Sequence, residues 1–155
     1  MVEGPGCTLN GERMRKAGVV GQTVRAVSAQ QMADAPKLQG LIGLQIFDVV
    51  TLGKELFIFV AALSSTMLAY DESASAAAHV DMVVRVHFGM NGSLLVNALH
   101  RYNNDAAFEL HLDRDVVRVY QSTVCLRCPN TTRKHIEKLS RYVCIVLSTA
   151  LYGSF

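Results

Sequence analysis

Residues 82–99 read MVVRVHFGMNGSLLVNAL, and this stretch decides the fold of the chain. Apolar and β-branched residues dominate both sides of the glycine-containing segment Gly89–Gly92. Such a pattern is typical of two strands joined by a turn. We therefore predict one strand over Met82–Phe88, a turn over Gly89–Gly92 and a second strand over Ser93–Leu99.

The neighbouring segments extend the β pattern in both directions along the chain. Thr51–Gly53 predicts a turn, and Lys54–Val60 predicts the strand that follows it. Asp113–Asp115 predicts the turn of a hairpin whose strands are Phe108–Leu112 and Val116–Tyr120. Short strands at this spacing favour a β-sandwich or barrel.

Upstream of these strands the pattern is less regular. Val19–Ser28 alternates, which predicts an extended segment with these inward-facing residues: Val20, Thr23 or Val24, and Val27. Gln30–Lys37 predicts a loop, and Leu38–Val50 predicts a β segment interrupted by two glycines.

Helical patterns occur at the two ends of the sequence. Thr8–Ala17 predicts a short helix that ends at Gly18. From Asn130 onward the apolar residues recur at helical spacing, on a face formed by Ile136, Leu139 and Val143. The predicted fold class is mainly β with helices (α+β). It has an N-terminal helix, then an eight-stranded-type β-sandwich or barrel, then a C-terminal helix.

Composition excludes several classes of protein. The chain has 155 residues, of which 50% are hydrophobic, and it carries four cysteines and a net charge of +2. This content argues against intrinsic disorder and against a disulfide scaffold. Basic residues exceed acidic ones in residues 1–30 and 121–155. The two basic ends could form a phosphate-binding face if the fold brings them together, although a solvated helix face explains the second cluster equally well.

Membrane insertion and secretion are not expected from the sequence. The longest uncharged run, Leu56–Tyr70, is shorter than a transmembrane helix needs. The first residues contain an early acid, Glu3, and lack the apolar core of a signal peptide. We therefore expect no contact with a membrane and, in a reducing compartment, free cysteines.

The N terminus offers a candidate nucleophile. Val2 is small, so removal of Met1 is expected to expose its α-amine. An α-amine has a pKa of about 7.7–8.0, against about 10.4 for lysine, so more of it is neutral and able to attack an aldehyde carbon at neutral pH. Glu3 is placed to act as general acid and base. Every chain has an N terminus, however, and these residues alone favour an ordinary chain end.

Three blocks of sequence resemble the formamidopyrimidine-DNA glycosylase / endonuclease VIII family. They are VEGPGCTLNGE at residues 2–12, TLGKELF at residues 51–57 and RVHFGMNG at residues 85–92, and they occur in the family's order. A fainter likeness covers residues 112–143. Valine at position 2, where most of the family has proline, is typical of one vertebrate branch.

The resemblance implies a mechanism in which a damaged base is flipped out of DNA and its glycosidic bond is cut. It implies that the Val2 amine attacks the sugar C1′, that Glu3 transfers protons, and that Lys54 contacts the phosphate and the sugar. Met90 is implied to fill the gap that the flipped base leaves. We also predict DNA contacts for His87, Asn91 and Arg127. Taken singly, Lys54 and Met90 would fit a solvated strand lysine and a core methionine.

The resemblance covers only the N-terminal domain of the family. We assign residues 1–144 to that catalytic domain, with a predicted insertion over 61–81, and residues 145–155 to a divergent apolar tail. No counterpart of the family's helix–two-turn–helix domain or zinc finger is found. We therefore expect no cofactor and no metal in this chain. Cys125 and Cys128 have CxxC spacing, but a closed zinc site needs four ligands, which favours two reduced cysteines.

These features predict a DNA N-glycosylase with AP-lyase activity that excises oxidised bases through a Schiff base on its N-terminal amine. The alternative is a truncated, weakly active or inactive DNA-binding fragment of such an enzyme. The expected partner is damaged DNA, including single-stranded DNA. We expect a monomer located in the nucleus.

Overall fold

The computed structural model describes residues 4–30, 32, 34–62, 80–98 and 105–152 of the chain. Its elements in chain order are α1 (Gly4–Lys16), β1 (Ala26–Ala29), α2 (Ala35–Leu38), a 3-10 helix (Gln39–Leu41), β2 (Gln45–Leu52), β3 (Glu55–Ala61), β4 (Met82–Val96), β5 (Phe108–His111), β6 (Val116–Arg127) and α3 (Pro129–Tyr152). The mainly β fold with a helix at each end is confirmed.

The six strands form one antiparallel sheet in the order β1-β5-β6-β4-β3-β2. The predicted turn at Asp113–Asp115 is confirmed, whereas the turn predicted at Thr51–Gly53 lies at Gly53–Lys54, because Thr51 and Leu52 belong to β2 and β3 begins at Glu55. Leu52 pairs with Glu55 across the turn between β2 and β3, and His111 pairs with Val116 across the β5–β6 hairpin. The long strands β4 and β6 pair along most of their length, so they connect the β2–β3 side of the sheet to the β1–β5 side.

The predicted pair of strands around a Gly89–Gly92 turn is wrong, because β4 is continuous from Met82 to Val96. Both halves of β4 pair with β6 instead of with each other. Phe88 lies opposite Ser122 and Ser93 lies opposite Tyr120, so four residues of β4 face the single residue Gln121. Gln121 has a φ of 46°. The glycine-containing segment is therefore a wide bulge, which bends a strand without reversing it.

Alternation along the strands gives the sheet one face toward the main core and one face toward α3. The main core contains Leu56 and Ile58 of β3 together with Cys7 and Met14 of α1. A smaller cluster on the opposite face consists of Phe57, Phe59, Val80 and Val83, with Ile136 of α3 packed against it. The two terminal helices therefore lie on opposite faces of β3.

Several local predictions before β2 are wrong. Leu38–Val50 is not one β segment, since α2 and the 3-10 helix precede β2 and Gly43 has a φ of 90°. The predicted loop Gln30–Lys37 contains the start of α2. Val20 is 42% exposed, whereas Val19 and Val24 are buried. The chain turns at Gly21 with a φ of 92°, which breaks the alternation on which the Val20 prediction depended.

The helical predictions at the two ends are confirmed. The first helix ends before Gly18, which has a φ of 74°, a conformation that glycine adopts without steric cost. Most of the predicted insertion over 61–81 lies outside the described residues. Among the described parts of the chain, the helices are too short or too polar to cross a membrane.

Candidate DNA-contacting site

Lys54 lies at the tip of the two-residue turn between β2 and β3. Gly53 supplies the left-handed conformation of this turn, with a φ of 60°. The Lys54 side chain is exposed, and its backbone carbonyl accepts a hydrogen bond of 3.0 Å from the amide of Phe88. This bond fixes the lysine turn next to the β4 bulge.

The bulge presents Met90 and Asn91 to solvent. Met90 is 67% exposed, although methionine is usually a core residue. Gly92 lies close to Phe88 and Ser122, and a Cβ at this position would come within 2.5 Å of the Ser122 hydroxyl oxygen. A Cβ would also approach Phe88 to 3.1 Å, so a residue larger than glycine would require Ser122 or Phe88 to move. The unbranched, polarisable side chain of Met90 therefore lies on the bulge, outside the core.

The first helix is fixed along the β2–β3 hairpin that carries Lys54. The thiol of Cys7 donates a hydrogen bond of 3.2 Å to the carbonyl of Glu55, the residue after Lys54. Gly11 allows close approach to β2, because a Cβ there would lie 2.5 Å from Cγ2 of Thr51. The beginning of α1 is therefore held beside the lysine turn. Val2 and Glu3, the predicted nucleophile and acid, lie outside the described residues.

The Glu55 carboxylate is surrounded by three basic side chains. Arg85 donates a hydrogen bond to it, and the ring nitrogens of His87 and His135 lie 3.6 and 3.8 Å away. The carboxylate side chain is only 14% exposed. The hydrogen bond between Arg85 and Glu55 is the main reason why the pKa of Arg85 is raised. Burial, followed by the charge of Glu55, raises the pKa of Cys7 to about 11.

Four of the predicted DNA-contacting residues, Lys54, His87, Met90 and Asn91, lie at one end of the β3–β4 pairing. Arg127 is apart from them. It pairs with Val83, four residues before His87 on β4, and such a separation along a strand spans about 13 Å. Its side chain lines a cavity beside the first turns of α3.

The sequence alone did not indicate Glu55, Arg85 or His135 as members of this site. Glu55 follows Lys54, and Arg85 lies two residues before His87, so strand alternation could have placed both on the face that carries His87. His135 comes from α3, and its approach to Glu55 depends on how the helix packs. Within the described parts of the chain, no group of three or more metal-ligating side chains is present.

Comparison with known proteins finds similar sequences and similar structures, although no protein-family model matches the chain. Endonuclease 8-like 3 from Mus musculus is 34% identical over 158 residues, which cover 82% of this chain and 23% of that protein. Its counterpart from Bos taurus is 29% identical over 169 residues, covering 88% of this chain and 25% of the bovine protein. The chain belongs, over the family's N-terminal part, to the formamidopyrimidine-DNA glycosylase / endonuclease VIII family.

Solved structures of this family share the fold. A complex of wild-type Lactococcus lactis Fpg (MutM) with DNA that contains an oxidised pyrimidine matches with a TM-score of 0.65 at 15% identity, over 88% of this chain and 48% of that chain. A viral DNA glycosylase matches with a TM-score of 0.54 at 21% identity, over 81% of this chain and 40% of its own. The chain spans about a quarter of the length of the Endonuclease 8-like 3 proteins it matches.

Proposed function

We propose that this chain excises damaged bases from DNA and nicks the strand through a Schiff base on its N-terminal amine. One observation carries the proposal. The start of α1, the Lys54 turn and the Met90 bulge are joined by two hydrogen bonds, from Cys7 to the Glu55 carbonyl and from Phe88 to the Lys54 carbonyl. An amine at the chain start, a cation and a gap-filling side chain are the groups that such chemistry needs.

The proposed reaction begins after removal of Met1. The neutral amine of Val2 forms a bond to C1′ of the damaged nucleoside, the glycosidic bond breaks, and the base leaves with a proton. Opening of the sugar ring yields an imine between Val2 and C1′, and Glu3 supplies and accepts the protons of these steps. Loss of a proton from C2′ then breaks the bond between C3′ and its phosphate oxygen, and water releases the amine.

The described residues support binding of DNA in this reaction. The Lys54 ammonium is exposed and would pair with a phosphate beside the reacting sugar. Met90 would occupy the space that the flipped base leaves, because a thioether side chain fills irregular gaps. Damaged DNA, including single-stranded DNA, is the proposed substrate, and repair of chromosomal DNA would place the protein in the nucleus.

Borohydride trapping on DNA with an abasic site tests the proposal. Borohydride reduces the imine to a stable amine, so the protein with Val2 at its N terminus should become covalently joined to the DNA. Full-length Endonuclease 8-like 3 serves as the positive control. A Glu3→Gln variant and a protein that retains Met1 should each form much less adduct, and mass spectrometry of the N terminus verifies the processing.

Salt-dependent DNA binding without any adduct would favour the alternative, a DNA-binding fragment without turnover. Phosphate contacts make affinity fall steeply as salt rises. Absence of both adduct and binding, under conditions where the positive control gives both, would refute the glycosylase and the fragment together.

A further inference from the structure

A cavity of about 250 Å³ lies between the outer face of the sheet and the first turns of α3. Its lining residues are Phe57, Arg85, Arg127, Thr131, Thr132 and His135. Among the residues that the structure describes, two arginines and a histidine contribute to this lining and no carboxylate does. The cavity therefore combines an aromatic wall with basic side chains that come from two strands and a helix.

The charges around the cavity do not cancel. Glu55 pairs with Arg85 from outside the lining, so one of the two guanidinium groups is compensated. The side chain of Arg127 has no hydrogen bond or ion pair with any described residue. Among the described lining residues and their partners, one positive charge is thus left over. A phosphodiester carries one negative charge and would balance Arg127.

The donors that remain free in the cavity belong to the basic residues. The Thr132 hydroxyl donates to the Cys128 carbonyl at 2.8 Å, and the Thr131 hydroxyl points to the same carbonyl at 3.4 Å. Arg85 uses part of its donor set on Glu55 and Cys125. A guanidinium has five N–H donors, so Arg85 and the whole fork of Arg127 can still bind an anion. A planar guanidinium group can donate two parallel hydrogen bonds to the oxygens of one phosphate group.

We infer that this cavity binds a phosphodiester group of the DNA strand, at a second contact outside the reacting nucleotide. The inference rests on the proposed function, because it takes DNA as the partner. His87 and Val83 are four residues apart on β4, so the Arg127 end lies about 13 Å along the strand from His87. That distance corresponds to about four nucleotide steps of duplex rise. A strand held at Lys54 can therefore reach Arg127 with a later phosphate.

Salt-dependent binding of a labelled oligonucleotide with an abasic-site analogue tests the inference. The variant Arg127→Gln should weaken binding about threefold to tenfold at low salt. It should also make the plot of log Kd against log salt concentration shallower by about 0.7–0.9, the contribution of one phosphate contact. Arg114→Gln is the matched control, because it removes the same charge at the exposed β5–β6 turn, at the other end of β6. Equal slopes for the two variants would overturn the inference.

Inorganic phosphate separates this inference from the proposed function. In the protein without DNA, titration with phosphate should shift the imidazole NMR signals of His135, and Arg127→Gln should abolish the shift. If the protein binds no DNA but shows this Arg127-dependent shift, the anion site stands and the proposed function fails. If the protein traps abasic DNA normally while phosphate leaves His135 unchanged and the salt slopes are equal, the site is refuted and the function stands.

Discussion

The carboxylate of Glu55 accepts a hydrogen bond from the guanidinium of Arg85, diagonally across strands β3 and β4. Glu55 follows Lys54 directly, and Arg85 lines the cavity beside α3. This ion pair therefore connects the lysine turn to the cavity. His87, on the strand position opposite Glu55, faces the same carboxylate. One acid thus lies beside basic side chains from β4 and α3.

We expect Glu55→Gln to lower the free energy of unfolding by about 1–3 kcal/mol. The substitution leaves the guanidinium of Arg85, which is 27% exposed, without its charged partner. Urea unfolding measures the effect. Lys37→Gln is the control, because it breaks an exposed ion pair with Asp34 and should change stability by less than about 0.5 kcal/mol. Equally small changes in both variants would show that the Glu55 charge contributes no more than a surface group does.

Gly11→Ala should destabilise the protein by about 1–2 kcal/mol, although alanine is the better helix former by about 1 kcal/mol. The new Cβ would lie 2.5 Å from Cγ2 of Thr51 and would push α1 away from β2. Thr51→Ser removes that methyl group, so the double variant should recover most of the loss. Urea unfolding of the two single variants and the double variant gives the coupling. A Gly11→Ala protein more stable than the parent would contradict the close approach of α1 and β2.

Turns and helix ends were predictable because their signals are local. Gly53 in the β2–β3 turn and Gly18 after α1 both adopt positive φ angles, and each could be located from its neighbours in sequence. The β4 bulge shows where such reasoning ends. Glycines at 89 and 92 fit a chain reversal and a bulge equally well. The choice depends on β6, more than twenty residues later, which pairs with both halves of β4.

Residues of the candidate site could be predicted only where they lie in a contiguous sequence motif. Lys54, His87, Met90 and Asn91 occur in blocks that resemble a known family, and the structure brings them to one end of the β3–β4 pair. Glu55 and Arg85 lie in the same blocks and His135 lies outside them, but no block indicated that these residues form one group. Its members come from β3, β4 and α3, so their proximity follows from sheet register and helix packing. Neither quantity can be obtained from residue order alone.

Met90→Ala should weaken binding to DNA with an abasic-site analogue about threefold to tenfold while leaving stability unchanged within about 0.5 kcal/mol. Met90 is 67% exposed, so its removal costs little packing in the free protein. Fluorescence anisotropy measures the affinity, and urea unfolding measures the stability. Met14→Ala is the control, since Met14 is fully buried and its truncation should cost about 2–5 kcal/mol. Unchanged affinity in Met90→Ala would argue against the gap-filling role.

Alkylation by iodoacetamide should modify Cys128 before Cys7. Cys128 is exposed, and its pKa is lowered by a hydrogen bond from the Thr131 hydroxyl and by the backbone amides of Thr131 and Asn130, so its reactive thiolate forms at lower pH. Cys7 is buried, and its pKa is raised to about 11. Peptide mass spectrometry at pH 7–8 gives both rates.

The same pKa values predict how Thr131 and pH affect the protein. Thr131→Val should slow alkylation of Cys128 without changing Cys7, because it removes the hydroxyl donor but keeps the size of the side chain.

A pKa of Cys7 that is higher in the folded state than in the unfolded chain means that folding favours the neutral thiol. Its contribution to stability is therefore complete below about pH 8.5 and is lost as the pH rises toward 11. Urea unfolding between pH 8 and 10.5 should show a decline that Cys7→Ala reduces, and an identical decline in that variant would assign the effect to other groups.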